Sequence, residues 1–95
     1  NKSISFELAP HNITVNSILL GGVKTDRLTK LIKKSSKIKK IKYETYLNQI
    51  QSSIPMGRFA NPEEISDLVS FLVSEKGSYI TGQNIVIDGG LSKSI

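Results

Sequence analysis

The stretch Ile13-Thr14-Val15-Asn16-Ser17-Ile18-Leu19-Leu20-Gly21-Gly22-Val23-Lys24-Thr25-Asp26 decides the fold. A run of aliphatic and β-branched residues that halts at paired glycines and resumes as a helical pattern reads as a strand over 13–20, a tight turn and a helix N-terminus. In open α/β sheets, ligands lie beyond the carboxyl ends of strands, where glycine lets the backbone come close and the next helix offers unpaired N–H groups. Because the run is nearly continuous in apolar residues, it predicts a strand buried on both faces of a parallel sheet. Asn16 interrupts it, and a buried amide must find partners. A structural bond to a neighbouring strand or loop is its expected role.

Upstream, Ile4 and Leu8 stand at i and i+4 in a helix expected over 2–9, which Pro10 stops. With Asn1 in first place and no capping residue before it, this helix looks like the tail of a longer one. His11 has no acid or nucleophile beside it and reads as a solvated turn residue. Downstream, Thr25 or Asp26 can cap a helix with the apolar stripe Leu28, Leu31 and Ile32. The pattern loosens through Ser35, Ser36 and a run of lysines, then resumes with Tyr43, Leu47, Ile50 and Ile54, so two short helices joined by a basic hinge are expected. Pro55-Met56-Gly57-Arg58-Phe59 is a loop.

The helix signal is strongest from Asn61 to Ser74. Asn61 is placed to cap, Pro62 suits the first helical position, Glu64 can complete a capping box, and Gly77 is expected to end the helix. Ile65, Leu68, Val69, Leu72 and Val73 describe one apolar face. After a turn at Tyr79-Ile80-Thr81-Gly82, Asn84-Ile85-Val86-Ile87 reads as a strand closed by Asp88-Gly89-Gly90. Strand, helical crossover and strand form a βαβ unit, which makes the strands parallel. A parallel sheet needs covered faces and more than two strands, so this α/β sheet is incomplete. Its other strands belong to sequence beyond this stretch or to another chain.

Composition narrows the chemistry. At 95 residues, the chain holds one domain at most, and 38% hydrophobic with 22% charged residues is a globular balance. There is no cysteine and only one histidine, which excludes disulfides and thiolate chemistry and leaves no basis for a metal site. No apolar run approaches the ~20 residues of a membrane span, so a soluble, cytoplasmic protein is expected. Lys30, Lys33, Lys34, Lys37, Lys39, Lys40 and Lys42 stand between Asp26 and Glu44 with no acid among them, and without them the net charge of +5 would turn negative. Basicity thus belongs to one segment.

Several separated motifs then carry a resemblance. Phe6-Glu7-Leu8-Ala9-Pro10-His11-Asn12-Ile13-Thr14-Val15-Asn16, Gly21-Gly22-Val23-Lys24-Thr25, Ile54-Pro55-Met56-Gly57-Arg58-Phe59 through Asn61-Pro62-Glu63-Glu64-Ile65, and Tyr79-Ile80-Thr81-Gly82-Gln83 with Asp88-Gly89-Gly90 stand in an order that resembles the C-terminal portion of a short-chain dehydrogenase/reductase. The nearest look-alikes are 3-oxoacyl-(acyl-carrier-protein) reductase-like oxidoreductases. The resemblance implies a Rossmann-like, doubly wound parallel sheet and hydride transfer between NAD or NADP and a carbonyl or alcohol. It implies that residues 1–95 are the C-terminal part of one such domain, with 26–54 a lysine-rich substrate lid. The family's glycine-rich turn, catalytic Ser and catalytic Tyr-x-x-x-Lys lie upstream of the matched region, and Tyr43, Tyr46 and Tyr79 are followed four positions on by Leu47, Ile50 and Gln83. No catalytic residue is therefore assigned here, and the 95 residues alone are expected to be inactive.

In the family, a Pro-Gly-x-Val/Ile-x-Thr loop meets the nicotinamide end of the cofactor. The resemblance assigns that role to Leu20, Gly21, Gly22, Val23 and Thr25, with the Val23 backbone on the carboxamide and the Thr25 hydroxyl on the carboxamide or pyrophosphate. Leu20 stands where the family usually has proline, which frees an N–H and loosens φ. The substrate implied is a small carbonyl or alcohol or an acyl thioester, and a homo-oligomer, dimer or tetramer, is implied as well. The lysine segment reads plainly as a solvated hinge. A sharper reading makes Lys33, Lys34, Lys37, Lys39 and Lys40 a docking surface for an acidic carrier protein or a CoA phosphate. A non-catalytic remnant serving as an interaction module by strand addition is the alternative to an enzyme. Nucleic-acid binding is disfavoured, because no aromatic platform accompanies the lysines.

Overall fold

The computed structural model describes residues 2–92. Helix α1 (Lys2–Leu8) leads to strand β1 (Ser17–Leu20), helices α2 (Asp26–Lys39), α3 (Tyr43–Ser52) and α4 (Pro62–Val73), and strand β2 (Asn84–Ile87). Single 3-10 turns follow α1 at Ala9–His11 and α4 at Glu75–Gly77. The chain divides into two compact units, Asn1–Leu20 with Glu63–Ile87 and Gly21–Pro62 with Asp88–Ile95.

The first unit contains the sheet. β1 and β2 run parallel, with Ser17, Ile18, Leu19 and Leu20 opposite Asn84, Ile85, Val86 and Ile87, as a βαβ connection requires. The regular ladder is shorter than the apolar run, but the extended chain before it is also pinned. Gly82 N–H donates to the Val15 carbonyl at 2.7 Å, Ser17 N–H to the Gln83 carbonyl at 2.9 Å, and Val15 N–H to Thr81 Oγ1 at 3.0 Å. Asn16 has the structural role expected of it. Its Nδ2 donates to the Ile80 carbonyl at 3.0 Å, and its Oδ1 accepts from Gln83 N–H at 3.1 Å. One amide thereby satisfies a donor and an acceptor of the segment entering β2.

Burial on both strand faces is not what the unit shows. Leu20 is 53% exposed, Leu19 49% and Val86 45%. Two strands cannot cover their own faces, and Leu72 is the one residue of α4 that is buried. α4 ends at Val73 rather than at Gly77, and Ser74 Oγ donates back to the Phe71 carbonyl at 2.7 Å. Gly77 is nonetheless required, because a Cβ there would stand 2.6 Å from the Phe71 carbonyl oxygen and 2.7 Å from that of Leu72. Before β1, α1 stops at Leu8, Pro10 falls inside the 3-10 turn, and Asn12 closes that turn in the left-handed region at φ 60°. The expectation of a longer helix ahead of it rests on Asn1, outside the described residues.

The second unit is built on a small apolar core. Ile32, Ile54 and Phe59 are buried, and Leu28, Tyr43, Tyr46, Leu47 and Ile50 pack against them. The basic segment differs from expectation. α2 is a continuous helix of 14 residues that carries Ser35, Ser36 and the lysines to Lys39. The break is confined to Lys40-Ile41-Lys42, where Lys40 takes φ 56° and its N–H donates to the Lys37 carbonyl at 3.2 Å. Ser36 permits this continuity, because its buried hydroxyl donates to the Lys33 carbonyl at 2.7 Å and leaves no unsatisfied polar group on the core side. Ile54 lies beyond α3, in the core rather than on the helix face.

Candidate functional site

The turn after β1 is held by backbone rather than by side chains. Ala60 N–H donates to the Gly22 carbonyl at 3.0 Å and Lys24 N–H donates to the Ala60 carbonyl at 2.8 Å, so Val23 and Ala60 form a parallel bridge. In such a bridge both bonds come from the residues flanking Val23. Its own N–H and C=O therefore point away from Ala60, as a donor and acceptor pair on one short segment. That is the complement of a primary carboxamide.

Gly22 is there because nothing larger fits. A Cβ at this position would collide with Phe59 Cδ1 and stand 2.6 Å from Cε1. The Phe59 ring is buried, and its N–H donates to Gln51 Oε1 at 3.2 Å, which ties the loop ahead of α4 to α3. Thr25 caps α2, with φ −111° and its Oγ1 accepting from Leu28 N–H at 3.2 Å. Capping uses the oxygen as an acceptor, and the hydroxyl proton is left to donate outward. Asp26 occupies the first helical turn instead, where a carboxylate favours the helix dipole.

Gly21, Gly22, Val23 and Thr25 thus lie in one loop of the second unit, whereas Leu20, paired with Ile87, is the last residue of β1 in the first unit. Sequence reasoning missed Ala60, Phe59 and Gln51, which fix the loop. Ala60 carries no chemical signal, and only the apolar Phe59 in a Pro- and Gly-punctuated stretch hinted at a packing role. His11 is exposed. Among the described residues, no group of acidic, His or Cys side chains could hold a metal ion, and no helix is long and apolar enough to cross a membrane.

A parallel βαβ pair whose first strand ends in a glycine turn at a helix N-terminus is a Rossmann-type element, and comparison with known proteins identifies which kind. The family profile described as Enoyl-(Acyl carrier protein) reductase matches residues 1–92, and the chain belongs to this family of short-chain dehydrogenases/reductases. It is 47% identical over 95 residues to the NADPH-dependent reductase BacG of Bacillus subtilis, covering 100% of this chain and 37% of that protein. To the 3-oxoacyl-(acyl-carrier-protein) reductase FabG of Aquifex aeolicus it is 43% identical over 90 residues, covering 95% of this chain and 32% of that protein. Among solved structures, a short chain dehydrogenase family protein from Francisella tularensis superposes with TM-score 0.87 at 39% identity, covering 95% of this chain and 37% of that one. YwfH, an NADPH dependent reductase involved in bacilysin biosynthesis, superposes with TM-score 0.84 at 48% identity, covering 99% of this chain and 35% of that one. The chain thus spans about a third of the length of the curated relatives it matches.

Proposed function

We propose that this chain is the nicotinamide-facing part of an NAD(P)-dependent short-chain oxidoreductase, with residues 26–54 forming its substrate lid. The observation that carries the reading is the Val23–Ala60 bridge, which fixes an outward-facing N–H and C=O on a loop with no Cβ at Gly22. In this reading the Val23 backbone pairs with the cofactor carboxamide and the Thr25 hydroxyl donates to the same group or to a pyrophosphate oxygen. Gly21 and Gly22 let the loop approach, and Leu20 is the residue that precedes it in the chain. The bound nicotinamide supplies the hydride. Within this chain, the bridge presets carboxamide orientation so that one face of the ring is presented to substrate, and the α2–α3 pair shields that face from water.

The catalytic acid and the glycine-rich phosphate turn come from the rest of the dehydrogenase domain, since neither a Tyr-x-x-x-Lys nor a Gly-x-Gly-x-x-Gly occurs in these residues. The half-exposed Leu19, Leu20 and Val86 are the faces that the remaining strands and helices would cover. The substrate is a small carbonyl compound or an acyl thioester, supported by relatives named for both NADPH-dependent and acyl-carrier-protein reductions. Calorimetric titration of NADPH and NADH into the protein with its complete domain tests this. Binding of either cofactor that is weakened by Thr25→Asp, which keeps an acceptor for Leu28 N–H but removes the outward donor, supports it. Affinity untouched by Thr25→Asp would refute the assignment.

A further inference from the structure

The apolar stripe of α3 ends in an amide. Tyr43, Leu47 and Gln51 stand at i, i+4 and i+8 on one face of the helix, and the first two pack against the core of Ile32, Ile54 and Phe59. A core-facing position ordinarily takes an aliphatic residue, so a glutamine there is explained by its hydrogen bonds. Gln51 is half-buried, and its Oε1 accepts from Phe59 N–H at 3.2 Å, eight residues further on. Together with Leu28, Ile32, Leu47 and Phe59 it lines a cavity of only about 10 Å³, room for a single water at most. No gap of ligand size therefore separates α2, α3 and Phe59.

The Gln51 bond acts on a segment whose other backbone groups are already committed. Ala60 N–H donates to the Gly22 carbonyl at 3.0 Å, the Ala60 carbonyl accepts from Lys24 N–H at 2.8 Å, and the Phe59 carbonyl accepts from Arg58 Nη1 at 3.2 Å. Of the four backbone polar groups of Phe59 and Ala60, the Phe59 N–H is the one tied to α3. The Phe59 ring fills the space that a side chain at Gly22 would need, so one residue meets the turn after β1 with its ring and α3 with its N–H. α3 is in turn clasped to α2. Lys33 Nζ stands 5.5 Å from the ring centroid of Tyr43, and Lys39 Nζ stands 5.1 Å from that of Tyr46, so these two lysines are turned onto α3 and help clip the helices together.

We propose that Gln51 is a positioning residue, through which the seating of the α2–α3 pair sets the direction of the Val23 N–H and C=O and hence the hold on a nicotinamide carboxamide. The inference rests on the reading that the turn after β1 meets the nicotinamide. With α3 seated, the Phe59–Ala60 segment is held from both sides, by Gln51 on one and by Gly22 and Lys24 on the other. Without the Gln51 oxygen, a part-buried N–H loses its partner, and the segment relieves that cost by shifting toward water. Such a shift carries Ala60 with it, and the bridge to Val23 turns. Linkage makes the effect reciprocal, so a ligand that needs Val23 in the bridged direction also favours the seated α3. Gln51 acts on the cofactor through Phe59, Ala60 and Val23 and touches no reacting atom.

The test uses the protein with its complete domain and three ligands: NADPH, its 3-acetylpyridine analogue, in which a methyl group replaces the carboxamide NH2, and 2′-phospho-ADP-ribose, which lacks the nicotinamide. In calorimetric titration the unaltered protein should prefer NADPH to the analogue. Gln51→Met keeps the length of the side chain but removes the strong acceptor, and should lower NADPH affinity roughly 5- to 10-fold while leaving 2′-phospho-ADP-ribose within about twofold. Gln51→Glu, which keeps an oxygen at the same reach, should restore the affinity for NADPH. Hydrogen exchange in the unaltered protein gives a readout that needs no variant. NADPH should slow exchange in the last turn of α3, residues 49–52, and 2′-phospho-ADP-ribose should leave that turn unchanged. If NADPH is preferred to the analogue but Gln51→Met binds it as the unaltered protein does, the role of Gln51 is overturned and the nicotinamide reading stands. Equal binding of NADPH and the analogue by the unaltered protein would overturn both. Exchange in 49–52 that ignores NADPH would overturn the coupling to α3.

Discussion

Replacing Gly22 by alanine would test whether the glycine loop after β1 is held by the packing described. The added Cβ would enter the space of Phe59 Cδ1 and stand 2.6 Å from Cε1, well inside contact distance. Gly22 is not in the left-handed region, so the substitution brings no backbone strain and its effect is purely steric. The ring cannot swing freely, because Phe59 is 8% exposed and shares a core with Ile32 and Ile54. Overpacking of this kind costs about 1–3 kcal/mol, or a Tm lower by roughly 2–4 °C per kcal/mol in domains of roughly 150–250 residues. If the loop yields instead, the Val23–Ala60 bridge shifts and cofactor affinity falls in step with stability. Phe59→Leu removes ring volume and costs about 1–2 kcal/mol alone. In the double variant the new methyl takes part of the vacated space, so the double should be more stable than the sum of the singles by about 1 kcal/mol. Denaturant unfolding of the four proteins, with cofactor titration on each, gives both numbers. Additivity within roughly 0.5 kcal/mol, or a neutral Gly22→Ala, would refute the claim that Phe59 is what excludes a side chain from this position.

Other expectations follow from single bonds. Thr25→Val should lower stability by about 1 kcal/mol through loss of the cap on Leu28 N–H and weaken cofactor binding too, while Thr25→Ser should leave both near the original values; thermal melts with cofactor titration check this. Asn16→Leu should destabilise by about 1–2 kcal/mol in urea unfolding, because the part-buried Ile80 carbonyl loses its partner, whereas the exposed Gln83 N–H can turn to water. The isolated 95 residues should oxidise no NADPH with any carbonyl substrate and should self-associate through open strand edges, read by light scattering; a monodisperse, active monomer would contradict this.

The sequence alone determined the elements whose signals are local. Apolar runs bounded by glycine located both strands, Pro62 opened α4, and the helical crossover between the strands dictated that they run parallel. The turn after β1 was legible from its paired glycines, and the motif order around it made the family recognisable. Tertiary structure decided what depends on groups distant in the chain. Whether the lysines formed a hinge or a helix turned on the core stripe of Leu28, Ile32 and Ser36 meeting α3, a contact that outweighs weak local propensity. Which lysines face outward depended on Tyr43 and Tyr46, brought under Lys33 and Lys39 by the break at Lys40. That Val23 presents its backbone outward followed from Ala60, 37 residues further on, and no local pattern announces the partner of a backbone bridge. A side chain's type is written at its own position, but the direction of a hydrogen-bonding group is fixed only when its neighbours in space are in place.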